Sequence, residues 1–127
     1  MSQTGVPANV RRFIAAEIES VEQLEVLLLL RGAPDKEWTG REVARALVSQ
    51  PESAANWLAR LEGRGLLAAS GDAYRYAPAT PDVAESIDHL AESYARYRVA
   101  VIGLIFSKPS ERVTVFSDAF RIRRKKD

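Results

Sequence analysis

Along most of the chain apolar residues recur every three or four positions, and they give way to strand-like alternation only once. Val10, Phe13, Ile14 and Ile18 share one helical face, which predicts a helix over residues 8–18. Ser20 and Gln23 form a capping-box pair ahead of Val21, Leu24, Val26 and the run Leu27 to Leu30. This predicts a second helix over 20–31 that is apolar nearly all round, and burial accounts for its four leucines more simply than an interaction motif does. Arg31, Gly32 and Pro34 end it, and 33–37 is a short exposed link.

The next stretch, Thr39 to Tyr76, organises the rest. Thr39 as N-cap, Glu42 three residues on and Trp38 placed to staple onto Val43 predict a helix over 39–48. Ser49 and Glu52 repeat the capping pattern around Pro51, so a second helix, 51–64, starts after a very tight turn. In it Ala54, Leu58 and Leu61 fall on a packing face. Ser53, Asn56, Trp57, Arg60 and Arg64 fall together on the other side, the face expected to be presented. Gly65 suits a left-handed position after the helix, with Leu66 returning to Leu61. Leu66 to Ala69, the turn Ser70-Gly71-Asp72 and Ala73 to Tyr76 then make a hairpin, 66–77.

Helix, tight turn, helix and hairpin in this order read as a winged helix-turn-helix. The run W-L-A-R-L-E-G-R-G-L-L resembles the recognition-helix end of winged-helix transcription regulators of the MarR, ArsR and PadR type. That resemblance implies that Ser53, Asn56, Trp57 and Arg60 lie along a DNA major groove with Arg75 of the wing near a phosphate. The wing departs from the pattern in being short, with one basic residue and Asp72 at its tip. Glu52 also sets a negative charge at the leading end of the second helix.

After the hairpin, Thr80-Pro81-Asp82 opens a helix predicted over 81–106. Val83, Ile87, Leu90, Tyr94, Tyr97, Val101 and Leu104 recur at alternating spacings of four and three. The seam spans about 22 residues, roughly 33 Å, which is longer than one small domain readily covers. A homodimer through this helix, with the N-terminal helix alongside, is the expectation. The expected fold is therefore mainly α: a single domain with a helical core at 8–80, the winged helix-turn-helix at 39–77, a dimerisation helix at 81–106 and a tail at 107–127.

Charge changes this picture in two places. Residues 1–107 carry 11 basic and 14 acidic side chains, while residues 108–127 carry seven basic and three acidic, so the positive charge sits in the tail. There Val113, Phe116 and Phe120 recur at helical spacing, with Ile122 among Arg121, Arg123, Arg124, Lys125 and Lys126. Either the two phenylalanines fold back onto the body, or the tail contacts DNA phosphates, an acidic partner protein or an anionic membrane surface. Between Thr39 and Tyr76 five arginines face four acids, so a tight nonspecific grip on phosphates is not expected.

The chemistry of the chain excludes more than it suggests. Cysteine is absent, so there is no disulfide framework, no thiolate nucleophile and no thiolate metal site. The single histidine, His89, lies off the seam near Glu85 and Asp88 and reads as a solvated surface residue rather than a metal ligand. No nucleophile and base pair, phosphate-cradling glycine loop or paired-carboxylate site is singled out by spacing. No enzyme activity, metal or cofactor is expected. Without a signal-peptide pattern or a membrane-spanning run, the expected location is the cytoplasm.

Two functions fit. In the first, a dimeric transcriptional regulator binds double-stranded DNA through Thr39, Arg41, Ser53, Asn56, Trp57, Arg60, Arg64 and Arg75. Asn56 would pair with adenine, Arg60 with guanine or phosphate, and the helix start at Thr39 together with Arg75 with phosphates. In the second, the winged helix is a protein-interaction adaptor that binds no DNA and uses the tail for a protein or membrane partner.

Overall fold

Helix α2 (Val21–Arg31) is the axis of the structure, a computed structural model that describes residues 5–107. Leu24, Val26, Leu27 and Leu30 have no exposed surface, as a helix apolar on most sides requires. Around it lie α1 (Ala8–Glu17), β1 (Trp38–Thr39), α3 (Gly40–Leu47), α4 (Pro51–Gly63), β2 (Leu67–Ser70), β3 (Ala73–Tyr76), α5 (Pro81–Arg96) and α6 (Arg98–Ser107). One layer packs α1 against α5 and α6; the other packs α4 against α2, α3 and β2. The fold is mainly α with a small antiparallel sheet, as the sequence pattern predicts.

The local signals operate as read at most helix ends. Thr39 Oγ1 accepts from the Glu42 N–H while Glu42 accepts from the Thr39 N–H, a complete capping box. At the end of α4 the Leu66 N–H reaches the Leu61 carbonyl and the Gly65 N–H that of Glu62, with Gly65 at φ +82°. This six-to-one and five-to-two pairing needs a left-handed residue, which glycine supplies without strain. Close packing of α3 on α4 sets Gly40 so near Ala55 that an added Cβ would lie 3.2 Å from the alanine Cβ.

Five expectations require correction. The wing is not two-stranded: Trp38 and Thr39 pair antiparallel with Tyr74 and Ala73, making a three-stranded sheet in the order β1-β3-β2. A strand of two residues has no periodicity to detect. Ser49 does not cap α4. Gln50 occupies that position without a side-chain bond, while Ser49 Oγ donates to Glu22 Oε2 at 2.7 Å. The box at Ser20 is half formed, because Gln23 Oε1 accepts from the Glu19 N–H instead of that of Ser20.

The helix predicted over 81–106 is two helices, broken at Tyr97, where φ is −131° and ψ 52°. Neither proline nor glycine marks the break; the Tyr97 ring lies against Gly5, 2.9 Å from where a Cβ would sit. Arg98 reaches Glu25 at 3.4 Å, and Tyr94 Oη donates to the same carboxylate at 2.9 Å, tying both sides of the break to α2. His89, fifth, is not simply solvated: its Nδ1 accepts from Asn9 Nδ2 at 2.9 Å, joining α5 to α1.

The turn between α3 and α4 holds a strained residue. Val48 has φ 54° and ψ 56°, is 93% exposed, and stands where the Ser49 N–H bonds back to the Ala44 carbonyl. Glycine is the usual occupant of such a position, and a β-branched side chain there is an outlier. Val48→Gly is expected to raise the unfolding free energy by about 1 kcal/mol, because the left-handed penalty is removed and no packing is lost. Urea denaturation checks this, and a destabilised variant would show that the isopropyl group has a structural role.

Candidate nucleic-acid interface

The two helices α3 and α4 and the β2–β3 hairpin bring the residues singled out from sequence to one end of the molecule. Helix α4 is anchored by Ala54, Leu58 and Leu61, each without exposed surface. At 100° per residue its remaining side chains divide into two groups. Glu52, Ala55, Asn56, Ala59 and Gly63 form the outer face, and all five are exposed. Ser53, Trp57, Arg60 and Arg64 form an edge that turns back toward the junction of α1 and α2.

That edge is occupied. Glu22 accepts three hydrogen bonds, from Ser49 Oγ at 2.7 Å, Ser53 Oγ at 2.7 Å and Trp57 Nε1 at 3.2 Å. Burial pushes the Glu22 carboxyl up, but the three donors together outweigh it and hold the group below its usual range. Farther along, Arg60 Nη1 donates to Glu19 Oε1 at 3.0 Å. Arg64 donates to Glu17 Oε1 at 3.1 Å, to the Ala16 carbonyl at 3.3 Å, and to Glu19. The Arg60 guanidinium lies 5.7 Å from the Trp57 ring centroid. Of the five residues expected on one presented face, therefore, Asn56 alone stands clear, and the other four face the body of the same chain.

A cleft of about 520 Å³ lies between the start of α3, the first turns of α4 and the wing. Thr39, Gly40, Arg41, Pro51, Ala55, Asp72 and Tyr74 line it. It combines the amino terminus of α3 and a guanidinium with one opposing carboxylate. The hairpin turns at Gly71, φ +63°, and its second strand, β3, central in the sheet, exposes Arg75. Arg45, exposed on α3, belongs to the same side, although the sequence reading passed over it.

Sequence reasoning also missed Glu17, Glu19 and Glu22. The run E-I-E-S-V-E is visible in the chain, but its partners on α4 are 31 to 47 residues away, beyond any helical or strand repeat. Tail residues Phe116, Phe120, Arg121, Arg123, Arg124, Lys125 and Lys126 lie outside the described residues. Among the described residues no group of histidine, cysteine, aspartate or glutamate could hold a metal ion, and no helix is long and apolar enough to cross a membrane.

The seam expected to pair two copies is largely used within one. Ile87, Leu90 and Val101 have no exposed surface and Tyr94 is 8% exposed, so they cannot form the centre of an interface without unpacking α5 and α6 from α1. Val83 and Leu104 are half-buried and Tyr97 is 38% exposed. A different stripe is bare: Val99 is 83% and Phe106 75% exposed, with half-buried Ile102 between them.

Taken together, the helix pair, tight turn and three-stranded wing define a winged helix-turn-helix protein. Among solved structures, the chain is similar to the transcriptional repressor CouR bound to p-coumaroyl-CoA, at 23% identity over 91% of this chain and 81% of that one, TM-score 0.50. It is similar too to a variant of MepR from a multidrug-resistant S. aureus clinical isolate, at 15% identity over 93% and 85% of the two chains, TM-score 0.50. A MarR family protein of Mycobacterium tuberculosis aligns at 16% identity over 88% and 82%, TM-score 0.49. No family model matches the chain, and no curated protein matches it in sequence. At these identities the similarity to CouR and to the MepR variant establishes the fold.

Proposed function

We propose that the protein is a dimeric DNA-binding transcriptional regulator that inserts the outer face of α4 into the major groove. The observation that carries this is the form of that face. Ala55, Ala59 and Gly63 keep it narrow, and Asn56 is its one neutral amide, so the helix fits a groove about 12 Å wide with an amide able to pair with adenine N6 and N7. Thymine methyl groups suit the two alanines. Arg41 and Thr39 at the cleft, Arg45 on α3 and Arg75 on the wing flank α4, where phosphates of the groove walls would run. The repressor CouR, with the same fold, supports the regulatory role.

Ser53 and Trp57 enter this reading as supports of α4 through Glu22, and Arg60 and Arg64 as cations paired within the chain. With two or three phosphate contacts per subunit, a dimer would neutralise about four to six, giving a salt exponent of roughly −4 to −5. Binding to random DNA is then weak, and useful affinity depends on two half-sites about 34 Å apart.

The test is selection from a randomised duplex library, followed by fluorescence anisotropy across a salt series. Asn56→Ala is expected to cost about 1–3 kcal/mol on the selected duplex and nothing on a scrambled one. Arg75→Ala should weaken both alike and reduce the salt exponent by about one per contact. Glu52 and Glu62 on or beside the outer face of α4 equally suit a protein-binding winged helix. If no duplex is enriched, the adaptor reading replaces this one.

A further inference from the structure

Glu17 and Glu19 do something that the anchoring of α4 does not require. The helix is already fixed by three side chains without exposed surface and by the Glu22 hub. The side chains of the Arg60–Glu19 pair are 51% and 37% exposed, and those of the Arg64–Glu17 pair 30% and 32%. Ion pairs with such exposure contribute about 0–1 kcal/mol each to folding. Their effect on a polyanion is larger. Arg60 in the last turn of the recognition helix and Arg64 at its C-cap are its two cations, and both guanidiniums already have carboxylate oxygens where phosphate or guanine oxygens would otherwise be bound.

We propose that Glu19, assisted by Glu17, is a specificity-determining positioning residue that holds Arg60 and Arg64 off the DNA. The inference rests on the DNA-binding reading above. Arginine is the commonest partner of guanine O6 and N7 and an indiscriminate partner of phosphate. A recognition helix with two free arginines would grip any duplex and any guanine within reach. By holding Arg60 through Nη1 and Arg64 through both Nη atoms, the acids leave base discrimination to Asn56 and the alanines and keep the sequence-independent contribution small. The three carboxylates and four polar residues of α4 run along one edge of the helix in order, Glu22 to Ser53 and Trp57, then Glu19 to Arg60, then Glu19 and Glu17 to Arg64. That alignment follows from the α1–α2 junction lying beside α4 between Ser53 and Arg64.

The experiment compares wild type, Glu19→Gln, Glu17→Gln/Glu19→Gln and a charge-matched control, Asp35→Asn/Glu37→Gln, on selected and scrambled duplexes across a salt series. The control removes two acids from the exposed link before β1. Releasing four arginines per dimer should raise affinity for the scrambled duplex about tenfold to a hundredfold at low salt and steepen the salt exponent by about 2 to 3.5. The selected-to-scrambled ratio should fall, and Arg60→Ala/Arg64→Ala added to the double variant should abolish the gain. In the wild-type background the same two alanines should leave the base preference intact.

A gain no larger than the control's overturns the proposal, as does a gain that survives without the arginines or a wild-type preference lost with Arg60→Ala/Arg64→Ala. Glu19→Gln alone preserves shape and carries the same comparison should the double variant lose its cooperative thermal transition. A wild type with no preference for any selected duplex instead refutes the DNA-binding reading, and this inference with it.

Discussion

Gln23→Ala should lower the unfolding free energy by about 3 kcal/mol. Gln23 has no exposed surface, and its amide joins the two ends of the α1–α2 junction. Its Oε1 accepts from the Glu19 N–H at 2.5 Å and its Nε2 donates to the Glu17 carbonyl at 3.0 Å. Alanine would leave both backbone groups without that partner and open a cavity where the buried amide now sits. Each orphaned group costs about 1–3 kcal/mol. Chemical denaturation reads the loss directly, and a loss under about 1 kcal/mol would mean that water replaces the amide. The junction is also the platform for Glu17 and Glu19, so the variant should loosen the hold on Arg60 and Arg64 as it destabilises the fold.

The largest effect on binding is expected from Val99→Glu/Phe106→Glu. Val99, Ile102 and Phe106 lie on one stripe of α6 at spacings of three and four, and an added Cβ at Gly103 would meet nothing within 4 Å. A second copy of α6 related by a two-fold axis would cover the stripe with the same residues. Wild-type protein should therefore scatter light as a dimer at micromolar concentration and the double variant as a folded monomer. Losing the second half-site contact should weaken binding to a selected duplex by about 10² to 10⁴. A monomeric wild type would refute the pairing. Leu90→Glu is a poor substitute, because Leu90 belongs to the core of one protomer and its replacement would unfold the chain.

Both predictions depend on contacts that the sequence does not display, and the difference has a physical basis. Capping at Thr39, the glycine turn after α4, the apolar faces of α1 and α2 and the hairpin at Gly71 each arise from groups within about six residues of one another. Steric limits and hydrogen-bond reach act at that range whatever surrounds the segment, so local sequence determined them, and with them the winged helix-turn-helix order. The break at Tyr97 was not legible. The seam keeps its spacing of four and three across it, and the contacts at the break, Tyr97 on Gly5 and Arg98 and Tyr94 on Glu25, come from distant segments.

The candidate interface shows the same division within one helix. Periodicity alone identified Ala54, Leu58 and Leu61 as the buried side of α4, because burial selects apolar side chains. It could not divide the remaining surface, since a polar side chain serves equally to meet water, DNA or a carboxylate of the same chain. Where α1 and α2 meet beside α4 decides that Ser53, Trp57, Arg60 and Arg64 turn inward and that Asn56 stands outside. That placement is made by contacts between segments tens of residues apart, where tertiary packing sets the distance between charges.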